Sequence, residues 1–362
     1  MSKCPKCIKA LKTYNTEVKK EMTFNFTATQ VMGTVEDPRE DLVKKAVTCT
    51  IPSIDFKTAD FAGGTGVYTK LSDKITCDAY TEAGKYEYTV KESASDPVIN
   101  AESKYEKLIM SKAEYTMDVY VTDGATGTEI SNIIVNKTKN DAGQTATGKV
   151  DIGNTGTNDF KFTNTYVQEA GTGENPKDPD PTYPDNGSLK VSKAVINANG
   201  TATTPDDEFA FTATFAFPTG TDANTLGGIK AANGDTVTSV EGGTYTFKLK
   251  ANGNMKFTGV PVGTTITVKE SAAKNYKGSA EITINGTKLT PVAATSYNTE
   301  LTAVNNNEKL GQKQNTVDVT NTYNDVPVTG IIMNTLPYVL MIALCGVALI
   351  AFVGFKRRRL QK

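Results

Sequence analysis

Three side chains that could react with one another occupy inward positions of predicted strands in the later part of this 362-residue sequence. Alternation of apolar and polar residues predicts strands in "LKVSKAV", "ITVKE" and "VDVTNTY". In each strand one polar residue shares the face of the apolar residues, and these residues are Lys193, Glu270 and Asn321. Burial of a lone lysine or glutamate is strongly unfavourable, so the three side chains must compensate one another.

The same residue types recur in the same order in the earlier part of the sequence. There the strands are "CIKAL", "YEYTVKE" and "FKFTNTY", and the same alternation selects Lys9, Glu92 and Asn164. Both parts also contain a Phe-rich strand and the string "TVKES", and both close on "TNTY". This shared order indicates a divergent duplication.

Two interpretations fit each triple. The lysine and glutamate could remain a buried ion pair with the asparagine hydrogen-bonded beside them. Alternatively, an apolar site lowers the pKa of the lysine and raises that of the glutamate, so that a neutral amine can attack the asparagine side-chain carbonyl carbon. The protonated glutamate would hydrogen-bond the carbonyl oxygen and pass protons to the departing ammonia. Because folding holds the groups together, the product would be a Lys–Asn isopeptide bond.

The elements that must position these residues are short strands separated by turns rich in Gly, Asn and Asp. Together with the abundance of Thr and the lack of helical periodicity, they predict an all-β fold of two tandem sandwich domains. The predicted units are residues 1–167, a Pro-rich, semi-rigid linker over 168–187, residues 188–325, and a C-terminal segment over 326–362.

The composition excludes several functions. The sequence has no histidine, which rules out Ser-His-Asp and Cys-His nucleophilic sites and His-ligated metals. A net charge of -1 without a basic patch argues against nucleic-acid binding. We therefore expect no metal, no cofactor and no reusable catalytic site.

Cys4 and Cys7 form a C-x-x-C without a second ligand pair, and Cys49 and Cys77 could form a disulfide.

The C-terminus predicts export and anchoring. Leu336–Phe355 carries no charge, is long enough to span a bilayer, and is followed by "KRRR", which stays on the cytoplasmic side. With "VPVTG" (Val326–Gly330) before it, this order resembles the sorting signal of Gram-positive surface proteins, which sortase cleaves between Thr329 and Gly330. A plain tail anchor is the alternative.

The N-terminus has no apolar signal-peptide region, so we expect that the exported chain has a different start.

With the ordered, doubled triples and the sorting signal, the sequence resembles the backbone pilins of streptococci. That resemblance implies two immunoglobulin-like sandwiches, each stapled by a self-formed Lys–Asn isopeptide bond that a glutamate assists. The bonds would join Lys9 to Asn164 and Lys193 to Asn321, with Glu92 and Glu270 assisting.

The resemblance also implies a structural function. The chain would be a shaft subunit of a covalent pilus on a Gram-positive cell surface, with sortase, neighbouring subunits and peptidoglycan as partners. The acceptor lysine would be Lys149 in "TGKVD", with Lys137 and Lys139 as alternatives. A second possibility is a wall-anchored, unpolymerised adhesin that binds a host or surface ligand.

Overall fold

The computed structural model describes residues 8–33, 39–64, 66–152 and 159–324, and within them the fold is almost entirely β-structure. The strands of the first part are β1 (Leu11–Thr16), β2 (Met22–Val31), β3 (Cys49–Thr50), β4 (Ile54–Phe56), β5 (Val67–Leu71), β6 (Thr76–Cys77), β7 (Gly84–Asp96), β8 (Glu106–Ile109), β9 (Glu114–Gly124), β10 (Gly127–Lys139), β11 (Thr145–Lys149) and β12 (Lys161–Gln168). A short 3-10 helix (Thr58–Phe61) lies between β4 and β5. The prediction of an all-β fold is confirmed.

The second part of the chain begins with a single-turn helix, α1 (Tyr183–Asn186), before its strands. These are β13 (Leu189–Ile196), β14 (Phe209–Ala216), β15 (Lys230–Asn233), β16 (Thr236–Ser239), β17 (Thr244–Leu249), β18 (Asn254–Thr258), β19 (Thr265–Glu270), β20 (Tyr276–Ile284), β21 (Thr287–Lys288), β22 (Val292–Ala293), β23 (Leu301–Lys309) and β24 (Thr316–Tyr323).

Each part packs two sheets over its own apolar core. In the first part a sheet of order β5-β1-β12-β8 faces one of order β11-β10-β9-β7-β2-β4. In the second part a sheet of order β16-β15-β18-β13-β24-β20-β21, with β22 beside β20, faces one of order β17-β14-β19-β23. Strands such as β13 and β14 bury every second residue, since one face of each sheet covers the core and the other meets solvent.

The first and last strands of each sandwich lie side by side and run parallel. β1 pairs with β12, and β13 pairs with β24. All other strand pairs in the described sheets are antiparallel. Each parallel pair therefore joins the beginning and the end of one sandwich.

The segment predicted to be a semi-rigid linker is in large part docked onto the second sandwich. Ala170 is fully buried in the second core, and its backbone N–H donates to the carbonyl oxygen of Val260 at 2.9 Å. The buried Glu169 carboxylate accepts hydrogen bonds from the hydroxyls of Tyr183 at 2.5 Å and Ser188 at 2.8 Å. Backbone and side-chain groups of this connection are thus bonded to the second sandwich.

The disulfide that the sequence allows is present, and several other predicted features fall outside the described residues. Cys49 and Cys77 lie opposite each other on β3 and β6 and form a disulfide. Cys4, Cys7, the pentapeptide Val326–Gly330 and the apolar run Leu336–Phe355 lie outside the described residues. Among the residues that are described, no helix has the length and apolar character needed to cross a membrane.

Candidate functional site

The second sandwich brings Lys193, Glu270 and Asn321 together in its core, as the alternation predicts. Lys193 on β13 lies opposite Val319 of β24, and Asn321 stands two residues further along β24 on the same face. Glu270 is the last residue of β19 in the facing sheet, where it lies opposite Phe211 of β14. The amine and the amide thus come from adjacent parallel strands, and the carboxylate reaches them from across the core.

One carboxylate oxygen connects the other two groups in this second site. Glu270 Oε1 lies 2.7 Å from Lys193 Nζ and accepts a hydrogen bond from Asn321 Nδ2 at 2.8 Å. The amine also lies 4.3 Å from the ring centroid of Phe209. The Lys193 and Glu270 side chains are 0% and 3% exposed, so water is excluded from the pair.

The first sandwich contains a matching site, but its lysine is Lys12. Lys12 Nζ donates to both carboxylate oxygens of Glu92, at 2.8 and 2.9 Å. Asn164 Nδ2 donates to Glu92 Oε1 at 2.8 Å, and the ring of Phe24 lies 4.2 Å from the amine. Glu92 and Asn164 therefore lie together as predicted, and the lysine beside them is Lys12 in place of the predicted Lys9.

Strand register explains why Lys12 takes this position. Lys12 pairs with Phe162, two residues before Asn164, just as Lys193 pairs with the residue two before its asparagine. The inward face that carries Lys12 also carries Ala10 and Tyr14, which are fully buried. Lys9 lies three residues away, where alternation turns its side chain to the opposite face, and it is only partly buried.

Burial controls the electrostatics of both sites. It lowers the pKa of Lys12 and of Lys193 from 10.5 to about 8, although the attraction of the nearby carboxylate opposes the shift. It also raises the pKa of Glu92 and of Glu270 above the ordinary carboxyl range. Both shifts favour the neutral amine and the protonated acid.

The carbonyl oxygens of the two asparagines have different surroundings. Asn164 Oδ1 accepts a hydrogen bond from the backbone N–H of Ser111 at 2.7 Å. Asn321 Oδ1 is buried and has no hydrogen-bond partner among the described residues. The expectation that glutamate would bond the carbonyl oxygen is not met, because both glutamates accept from the amide nitrogen instead.

Gly278 on β20 is the residue that leaves room for the second site. It pairs with Asn321, and a Cβ atom at this position would lie 3.1 Å from both Asn321 Oδ1 and Glu270 Oε2. Such a contact is closer than ordinary van der Waals packing, so glycine allows the backbone of β20 to approach the Lys–Glu–Asn group.

The three candidate acceptor lysines lie on the β10–β11 hairpin of the first sandwich. Lys149 is exposed at the end of β11. Lys137 lies with its amine 5.3 Å from the ring centroid of Tyr115, and Lys139 forms an ion pair with Glu114 at 3.1 Å. Among the three, Lys149 combines exposure with the absence of a described ion pair or ring contact.

The fold and the two sites together define a class: a tandem β-sandwich chain with a buried Lys–Glu–Asn group between the first and last strands of each sandwich. Residues 7–167 match the family model of the Spy0128-like isopeptide containing domain. Residues 187–323 match a domain of unknown function, DUF7601. The match of the first sandwich to a model of isopeptide-containing domains agrees with the resemblance that the sequence predicts.

Solved structures of pilus proteins are similar to the chain at low identity. The major pilin from Streptococcus pyogenes is 17% identical over 88% of this chain and 99% of that chain, with a TM-score of 0.34. A major pilin protein (T3.2) of the same species is 19% identical over 88% and 97% of the two chains, with a TM-score of 0.30. A pilus-presented adhesin is 13% identical over 58% and 35%, with a TM-score of 0.25. No curated protein matches the chain.

Proposed function

We propose that the chain is the shaft subunit of a covalent pilus, and that an internal isopeptide bond staples each of its sandwiches. The bonds join Lys12 to Asn164 and Lys193 to Asn321. The observation that carries this proposal is the single glutamate oxygen that lies within 2.8 Å of the lysine amine and the asparagine amide nitrogen in both sites. The isopeptide-containing family of the first sandwich supports it.

The shared oxygen provides a direct proton path for bond formation. A proton moves from the lysine ammonium to the glutamate, which leaves a neutral amine and a neutral acid in an apolar site. Nζ attacks Cγ of the asparagine, the Cγ–Nδ2 bond breaks, and the glutamate passes the proton to the departing nitrogen. Ammonia leaves, the amine loses its second proton to it, and the glutamate is regenerated.

This chemistry is a single turnover and does not make the protein an enzyme. The amine and the amide are both consumed, so the glutamate has nothing further to act on. The product also removes the buried ammonium, which would otherwise need the carboxylate to remain paired. The reaction therefore serves the structure of the chain that carries it out.

Each bond would strengthen its sandwich where tension is applied. The bonded residues lie on the first and last strands, so a pull on the two ends would pass through covalent bonds and bypass the sheets. In the chain-entropy model of a cross-link, closing loops of this length stabilises a domain by about 5 kcal/mol. Slower unfolding and resistance to proteolysis are the larger expected gains.

Intact mass tests the internal bonds. Residues 1–325 should weigh less than their sequence mass by two molecules of ammonia, after allowance for the disulfide, because each bond releases one. Digestion and mass spectrometry should then identify cross-linked peptides that contain Lys12 with Asn164 and Lys193 with Asn321. A chain of full sequence mass would overturn the proposal, and the loss of one ammonia would restrict it to the domain that contains the cross-link.

Assembly into a shaft would use the C-terminal signal. Sortase would cleave after Thr329, release Gly330–Lys362, and transfer the acyl group to Lys149 of the next subunit. The donor follows the second sandwich in the sequence and the acceptor lies on the first, so subunits would stack head to tail in a contact that does not close. The last subunit would be joined to peptidoglycan at the surface of a Gram-positive cell.

A ladder of covalent polymers is the expected result for a shaft subunit. Cell-wall extracts of the native organism, boiled in detergent, should show a series of high-mass bands that react with antibody against this chain. Lys149→Arg should collapse the series to monomer and leave both internal bonds intact, because only the acceptor amine is changed. A surviving series would move the acceptor to Lys137 or Lys139, and a single band in the unmutated strain would favour the anchored adhesin.

A further inference from the structure

We infer that the backbone N–H of Ser111 is an oxyanion donor for the first isopeptide bond, with Asp141 as its positioning residue. Among the described residues, none donates in the same way to Asn321 Oδ1 in the second site, so the first bond should form faster than the second. This inference rests on the proposed bond chemistry and adds to it a residue pair outside the Lys–Glu–Asn group.

The donor already lies where charge would develop. Ser111 N is 2.7 Å from Asn164 Oδ1, and both residues are buried. The orientation of the amide is fixed from both ends, because a backbone N–H can only donate and Glu92 Oε1 accepts from Asn164 Nδ2 at 2.8 Å. The oxygen of the reacting amide therefore points at the Ser111 N–H before the reaction begins.

Asp141 fixes the position of Ser111 relative to β12, the strand that carries Asn164. Its Oδ1 accepts hydrogen bonds from the Ser111 hydroxyl at 2.6 Å and from the backbone N–H of Thr163 at 2.8 Å. Its own carbonyl oxygen accepts from the N–H of Lys112 at 3.0 Å. Asp141 thus ties the loop between β8 and β9 to the residue that precedes Asn164.

This arrangement favours the transition state over the starting amide. When the amine attacks Cγ, the carbonyl π electrons move to Oδ1, and the Ser111 N–H bonds a growing negative charge. The donor is pre-oriented in a buried site, where such a contact is worth more than in solvent. In enzymes the loss of one oxyanion donor slows the chemical step by roughly 100-fold to 1000-fold.

The second site must react without this contact. Asn321 Oδ1 is buried and has no hydrogen-bond partner among the described residues, although Glu270 Oε1 contacts the amine and the amide nitrogen as Glu92 Oε1 does in the first site. Because one glutamate oxygen joins the amine and the amide nitrogen in both, the two sites form a natural comparison within one chain, although Lys12 Nζ also donates to the second oxygen of Glu92. The difference between their rates should come chiefly from the missing donor.

Timed bond formation tests the inference in the full chain. Cell-free translation would be sampled into denaturant, digested, and analysed by mass spectrometry for the cross-linked peptide of each site. Amide-to-ester exchange at Ser111, made by incorporating the corresponding α-hydroxy acid, removes the N–H and keeps the side chain. It should slow the first bond by about 100-fold, and the second bond should keep its rate and serve as the internal control.

Asp141 variants separate positioning from folding. Asp141→Ala should slow the first bond, because the Ser111 loop loses its tie to β12. Asp141→Asn keeps an oxygen acceptor for both hydrogen bonds and should restore the rate. Equal rates for the two sites in the parent, or an ester chain that closes at the parental rate, would overturn this inference alone. Absence of both bonds in every chain would overturn the proposed function, and this inference with it.

Discussion

Lys12→Ala should abolish the first isopeptide bond, and Lys9→Ala should leave it intact. Lys12 supplies the amine that contacts Glu92 at 2.8 Å, whereas Lys9 lies on the opposite face of the same segment. The Lys12→Ala chain should therefore lose one ammonia and the Lys9→Ala chain two, as read from intact mass. The cross-linked peptide of the second site should persist in both.

The Lys12→Ala variant should also be less stable than the Lys9→Ala variant. Lys12→Ala removes a cross-link worth about 5 kcal/mol in the chain-entropy model and leaves Glu92 buried without its amine. Burial already raises the pKa of Glu92, so its carboxyl group should take up a proton and stay neutral. The first sandwich should unfold at a markedly lower denaturant concentration than in Lys9→Ala. A first bond that survives Lys12→Ala and disappears in Lys9→Ala would return the assignment to Lys9.

The difference between these two lysines shows where the sequence pattern stops being sufficient. In "CIKALKTY" two lysines stand three residues apart, so they lie on opposite faces of any strand that contains both. The alternation of Ile8, Ala10 and Tyr14 was the available signal for Lys12. Only the pairing with β12 decides the matter, because it places Lys12 opposite Phe162 and thus next to Asn164.

Five of the six residues of the two sites could be found from the sequence because their strands alternate strictly. A polar residue on the apolar face is informative in such a strand, since it has no low-cost place in the core unless it is paired. Glu92, Asn164 and the whole second group satisfy this condition. The all-β fold follows from the same short alternating runs.

The oxyanion contact could not be found in the same way. It is made by a backbone N–H, which every residue except proline has, so the identity of Ser111 carries no signal. Asp141 lies in a turn where an acidic residue is ordinary, and only the fold brings it to β12. The buried Glu169 was missed for a related reason, because a segment rich in Pro and acidic residues has the composition of a solvated linker.

Glu270→Ala should fold but fail to form the second isopeptide bond. Lys193 and Asn321 remain in place, yet the oxygen that carries the proton between them is gone. The variant should lose one ammonia where the parent loses two, melt at a lower temperature, and be cut by trypsin within the second sandwich. Glu281→Ala is the matched control, because it removes an exposed carboxylate from the same sandwich, ion-paired with Lys288 at 3.2 Å.

The stability deficit of Glu270→Ala should also depend on pH, because the amine of Lys193 stays free and buried. In the intact group its pKa is about 8, against the ordinary 10.5, and loss of the carboxylate attraction lowers it further. Between the folded and unfolded pKa values the unfolded chain binds more protons, so the free energy of unfolding rises with pH across that window. Urea denaturation should therefore show a smaller deficit relative to the parent at pH 10 than at pH 7. A variant that loses ammonia as completely as the parent would show that Glu270 does not carry the proton. A stability deficit that is constant with pH would contradict the free, buried amine of Lys193 that this prediction requires.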